Sequence, residues 1–151
     1  MQFSTILTSL LLVGIGEGLI DRGDFGGAIS DVKDLPNWIF KSFTRACNDD
    51  DTFCTIIFRI DTQVEPETPC LYNVSGPQAS RKSTDEVACG PFLMSSSWSD
   101  QFGSDHGFTT WAVIDWNKRL IVWPSYSDME LANGVTVTPD KSFAPQNVQV
   151  D

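Results

Sequence analysis

Four cysteines, Cys47, Cys54, Cys70 and Cys89, constrain what this 151-residue chain can fold into more than any other feature. They follow an apolar run, Ile6 to Ile15, set close behind Met1. A run of about ten apolar residues is too short to span a bilayer and suits the core of a secretory signal. An even cysteine count in a short exported chain implies disulfides rather than metal or redox chemistry. The spacings contain no C-x2-C unit, which argues against a zinc site. Of the three pairings that four cysteines allow, Cys47–Cys54 with Cys70–Cys89 is preferred. The first ties the loop CNDDDTFC, and the second bridges CLYNVSG across a polar stretch to ACGPF. In the chain-entropy model these closures contribute about 2.5 and 3.3 kcal/mol.

The leader sets the domain plan. Residues 1–18, MQFSTILTSLLLVGIGEG, read as a signal peptide, with Gly16 and Gly18 as the small residues before a cut after Gly18. No Lys or Arg precedes the apolar core, so the α-amino group is its only positive charge. Residues 19–34, with Gly23, Gly26 and Gly27, read as a flexible arm or pro-segment, and residues 35–151 as one β-domain. No later run reaches the ~18 apolar residues of a membrane span. The net charge of −10 disfavours nucleic acid and anionic membrane surfaces.

Strand signals dominate the rest. PNWIFKSFT places Trp38 and Phe40 on one face. In CTIIFRIDT, Cys54, Ile56, Phe58 and Ile60 alternate with Thr55, Arg59 and Asp61, with Ile57 as the exception, the mark of a half-buried strand. CLYNVSG reads as a short strand, and the polar stretch Ala79 to Glu86 as a loop. Phe108 to Asp115 and Arg119 to Trp123 form the arms of a hairpin that Pro124 ends. SYSDMELANG is compatible with one helical turn, and GVTVTP reads as a last strand after the Asn133-Gly134 turn. Turn signals every eight to twelve residues or so point to an all-β domain, an antiparallel β-barrel or sandwich of about seven short strands with two disulfides.

Candidate chemistry is sparse. His106 is the only histidine; it lies beside Asp105 and after Ser95-Ser96-Ser97, without the G-x-S-x-G elbow of many hydrolases. Asp115, Asp128, Glu130 and the Asp49-Asp50-Asp51 trio supply carboxylates for a glycosidase pair, and the trio supplies oxygen ligands for Ca²⁺. Abundant acids on an acidic protein are more often solvated surface groups. No catalytic residue, metal or cofactor is therefore assigned. Of five tryptophans, Trp116 at the hairpin tip and Trp98 in SSSWSDQFG are the candidate binding residues, while core packing is the default for Trp111 and Trp123. Asn73-Val74-Ser75 is an N-glycosylation sequon, so Asn73 should face solvent.

The segments WIFKSFTRAC, CTIIFRID, TPCLYNVSG, SWSDQFGSDHGFTTWAVID, LIVWPSYSDMELANG and PDKSFAPQ occur in an order that resembles small secreted proteins of filamentous fungi. The likeness is greatest to hypersensitive-response-inducing elicitors of the rice blast type and covers roughly Pro36 to Gln146. Trp98 to Asp128 is its most specific part. The resemblance implies a compact antiparallel β-barrel, exported by a fungus and in some cases perceived by plants, and it carries no catalytic motif. The function expected is that of a secreted effector or elicitor acting by protein–protein recognition outside plant cells. The alternative is a carbohydrate-binding module for cell-wall polysaccharide. The expected partner is a plant or cell-wall component, with no nucleic acid and no membrane span.

Overall fold

A computed structural model describes residues 31–150. The signal peptide expected over residues 1–18, and the arm up to residue 30, lie outside the described residues. Ten strands follow a short 3-10 turn at Val32–Asp34. They are β1 (Trp38–Cys47), β2 (Phe53–Asp61), β3 (Thr68–Ser75), β4 (Thr84–Cys89) and β5 (Phe92–Ser99), then β6 (Phe108–Asp115), β7 (Leu120–Val122), β8 (Ser125–Ser127), β9 (Lys141–Phe143) and β10 (Gln146–Asn147).

They form two antiparallel sheets. One has the order β3-β2-β1-β9, and the other β10-β7-β6-β5-β4, with β8 also paired to β6. Among the described residues no ladder joins β3 to β4 or β9 to β10, so the body is a two-sheet sandwich and not the closed barrel of the other expectation. One open edge is tied by Cys70–Cys89, which links β3 of one sheet to β4 of the other. Cys47–Cys54 joins directly opposed residues of β1 and β2. The strand count exceeds seven because β7 to β10 are only two or three residues each, too short to show a period. β7 and β8 lie end to end along one side of β6, broken at Pro124, whose carbonyl still accepts the Trp111 N–H at 2.8 Å.

The core sits between the sheets. Cys54, Ile56, Phe58 and Ile60 on β2 are buried and their alternates exposed or half-buried, as the period-two pattern requires. In β1 the pattern changes phase. Trp38 and Phe40 point inward, the β1–β2 register then slips between Lys41 and Thr44, and Phe43 and Arg45 become the buried positions. Ser42 takes up the extra residue at φ +53°, and its N–H donates to Asp140 Oδ1 at 2.8 Å. Such a bulge places two residues against one and re-aims the side chains that follow. Phe43 thereby reaches the centre of the sandwich, with ring centroids 4.8 Å from Phe58, 4.2 Å from Tyr126 and 5.0 Å from Trp111.

The bulge also explains why GVTVTP is not a strand. Val137 donates its N–H to the Phe43 carbonyl at 2.8 Å and Thr136 meets Thr44 through their hydroxyls, so the segment crosses the bulge as an irregular clasp. Two further expectations change. Thr84–Cys89 is a strand and not part of a loop, because its polar residues sit on an edge strand paired to β5. Ser125–Ser127 is also a strand, and the helical turn comes later, as a 3-10 turn at Ala132–Gly134.

Candidate functional site

An open cleft of about 650 Å³ lies where the Cys47–Cys54 loop, the 3-10 turn Ala79–Arg81 and the segment after β8 converge. The bulge at Ser42 sets its base, because without that phase change Arg45 would point to the outer face of β1. Instead Arg45 is buried, and its Nη1 donates to the Ser80 carbonyl at 2.7 Å and to Asp128 Oδ1 at 3.1 Å. Asp128 Oδ2 accepts the indole N–H of Trp98 at 2.9 Å. The Arg81 guanidinium lies over the Trp98 ring, 5.1 Å from its centroid, a separation suited to cation–π attraction. Asp51 fixes the turn that carries Arg81 by accepting from the Ser80 N–H at 2.8 Å and the Ser80 hydroxyl at 2.7 Å. Gly107 leaves room for the arrangement. A Cβ there would stand 2.5 Å from Asp128 Oδ2 and 2.8 Å from the Trp98 ring.

Chemically, the cleft presents the Arg81 guanidinium, which lies over the Trp98 indole beside the cleft. Among the described residues Arg81 has no carboxylate partner, whereas Arg45 is neutralised by Asp128. Neither arginine stands out in the sequence. Arg45 becomes internal only through the bulge, and Arg81 meets Trp98 only after the chain has folded, so spacing carried no signal for either.

The carboxylates raised as catalytic candidates have structural partners. Asp115 is buried and accepts the N–H groups of Asn117 and Lys118, which shapes the hairpin turn. Asp128 is held as above. Glu130 accepts from the N–H and hydroxyl of Ser127 and pairs with Lys141 at 2.5 Å. Burial works against a charged Glu130, but the Lys141 and Ser127 contacts outweigh it and hold its carboxyl below the usual glutamate value. Cys47, Asp51 and Cys54 lie within 4.8 Å of one another, but the two sulfurs form a disulfide and are not thiolate ligands. Asp49 and Asp50 are exposed. His106 is exposed beyond the start of β6, while Ser97 faces Thr110, roughly 13 Å further along the strand.

The two candidate binding tryptophans occupy opposite ends of one sheet. Trp98 pairs with Thr109, and Trp116 follows Asp115 at the hairpin tip, roughly 23 Å away along β6. Trp116 is 50% exposed, and Trp98 is half-buried against Asp128 and Arg81. Trp111 is buried, but Trp123 is 44% exposed, which corrects the core expectation for it. Leu120, Ile121 and Val122 are all buried, so alternation has already lapsed before Trp123 turns outward ahead of Pro124. Asn73 is exposed between buried Tyr72 and Val74.

Residues 39–149 match the family described as Effector TSP1. A curated relative, "Effector TSP1" of Hypocrea virens (strain Gv29-8 / FGSC 10586), is 44% identical over 115 residues, covering 76% of this chain and 78% of the relative. The chain belongs to the Effector TSP1 family. The matched region takes in all four cysteines, the cleft residues Arg45, Arg81 and Asp128, and Trp98 beside them, so the cleft of this Effector TSP1 family member lies within the matched region.

Proposed function

We propose that this chain is a secreted fungal effector that acts by protein–protein recognition outside plant cells, where its folded surface induces defence or cell death. The observation that carries this reading is the Arg81–Trp98 stack at the cleft rim, braced by Asp128, Arg45 and Asp51. Arginine and tryptophan are the residue types that most often anchor protein interfaces, and a pre-ordered pair loses little entropy on binding. Family membership supports the same reading, since the relative's name describes an effector. Infiltration of purified protein into leaves tests it. The wild-type chain should provoke a response that Arg81→Ala weakens without loss of folding, and an inert wild-type chain would contradict the proposal.

A second reading, a carbohydrate-binding module, is favoured by the exposed Trp116 at the hairpin tip. Retention on insoluble chitin, cellulose or xylan that disappears in Trp116→Ala would promote it over the first. With Trp98 at the far end of the sheet, such a module would use Trp116 without it.

A further inference from the structure

The outer face of the four-stranded sheet carries an apolar cluster around the sequon. Ile57 of β2 stands directly opposite Leu71 of β3, Thr55 opposite Asn73, and Phe53 opposite Ser75. Asn73 therefore lies in the row between Phe53 and the Ile57–Leu71 pair, with diagonal neighbours about 7–8 Å away. Phe53, Ile57 and Leu71 are 43%, 44% and 64% exposed. β3 is also an edge strand, eight residues long, and an edge of this kind offers unpaired backbone groups to another chain. Exposed apolar groups beside such an edge call for a cover.

We propose that Asn73 bears an N-linked glycan and that this glycan is the cover, lying across Leu71, Ile57 and Phe53 and along the free edge of β3. The proposal rests on the export reading, because the modification belongs to the secretory route. In the transfer, Asn73 Nδ2 attacks C1 of a lipid-linked oligosaccharyl pyrophosphate. The C1–N bond forms, the C1–O bond to phosphate breaks, the lipid pyrophosphate leaves and the amide nitrogen loses one proton. The folded side chain is arranged to carry the product. Thr55 Oγ1 donates to Asn73 Oδ1 at 2.9 Å, which holds the oxygen against the sheet and leaves Nδ2 with no partner among the described residues. Sugar C–H faces can pack on the Leu71 and Ile57 side chains while their hydroxyls stay in water. The bulk of the chain-linked sugar then blocks strand addition at β3.

The test is secretion of the full chain, with its own leader, from a filamentous fungus or yeast, followed by peptide mapping and enzymatic deglycosylation of the folded protein. The expected result is a sugar mass at Asn73 that N-glycosidase removes, with conversion of Asn73 to Asp. Binding of an apolar fluorescent dye should then rise severalfold, and Leu71→Ser should remove most of that rise. Secreted protein with unmodified Asn73 would overturn the proposal while leaving export intact. A removable glycan with unchanged dye binding would overturn the covering role. Retention of the chain inside the cell would remove export and this proposal together.

Discussion

The indole N–H of Trp111 donates to the Tyr72 hydroxyl at 2.6 Å across the gap between the two sheets, and both side chains are buried. β3 and β6 belong to different sheets, so this bond fixes their relative position where ladder hydrogen bonds cannot. Burial raises the pKa of the Tyr72 phenol, while hydrogen bonds with Trp111, Thr84 and Ser96 pull the other way.

Tyr72→Phe should therefore cost about 1–3 kcal/mol, because the Trp111 N–H is left buried without an acceptor. Denaturant unfolding of the variant measures this. Adding Trp111→Phe should cost less than the two single changes summed, since both members of the pair are then gone.

The Ser42 bulge gives a second prediction. Asp140→Ala removes the acceptor of the Ser42 N–H and should lower the unfolding free energy, measured by denaturant titration, by about 1 kcal/mol. Ser42→Gly should be tolerated, because glycine accepts a positive φ freely. Ser42→Val should cost about 1–2 kcal/mol, since its branched side chain clashes in that conformation.

At the cleft, Arg45→Met should cost about 3 kcal/mol, because the Asp128 carboxylate and the Ser80 carbonyl both lose a buried donor. The same variant should loosen Trp98, whose indole is held by Asp128, and so shift tryptophan fluorescence in the native state. Unchanged stability and emission would show that the network contributes nothing.

The depressed pKa of Glu130 sets a pH dependence. A carboxyl held below its unfolded value adds stability that is fully present above the unfolded pKa. That stability is lost as pH falls through the folded value. Thermal melts should therefore decline in acid below the ordinary glutamate range, and Glu130→Gln should flatten that part of the profile. Asp61, lowered by the hydrogen bond from Lys41 and by the Gln63 N–H, adds to the decline with the same sign.

The strands legible in the sequence are those with a clean period. β2 alternates in sequence from Cys54 to Asp61 except at Ile57, and the hairpin of β6 and β7 is bracketed by a turn and Pro124. Elsewhere tertiary contacts overrode local pattern. The Ser42 bulge inverts the phase of β1 because Asp140 and Val137, almost a hundred residues away, pin it. No local signal reports that. β4 is polar because it is an edge, and an edge strand resembles a loop when only composition is considered. At the cleft, Trp98 and Asp128 were visible as residue types worth attention, but their hydrogen bond and the arginines flanking it depend on chain segments that meet only in the folded state.

Under the proposed function, a plant partner recognises the folded exterior held by two disulfides. The most direct test compares leaf responses to native protein and to the same protein reduced, alkylated and unfolded. The native form should provoke a defence or cell-death response that disappears with the fold. An equal response to the unfolded chain would contradict the proposed function, because recognition would then reside in a linear segment and not in the surface described.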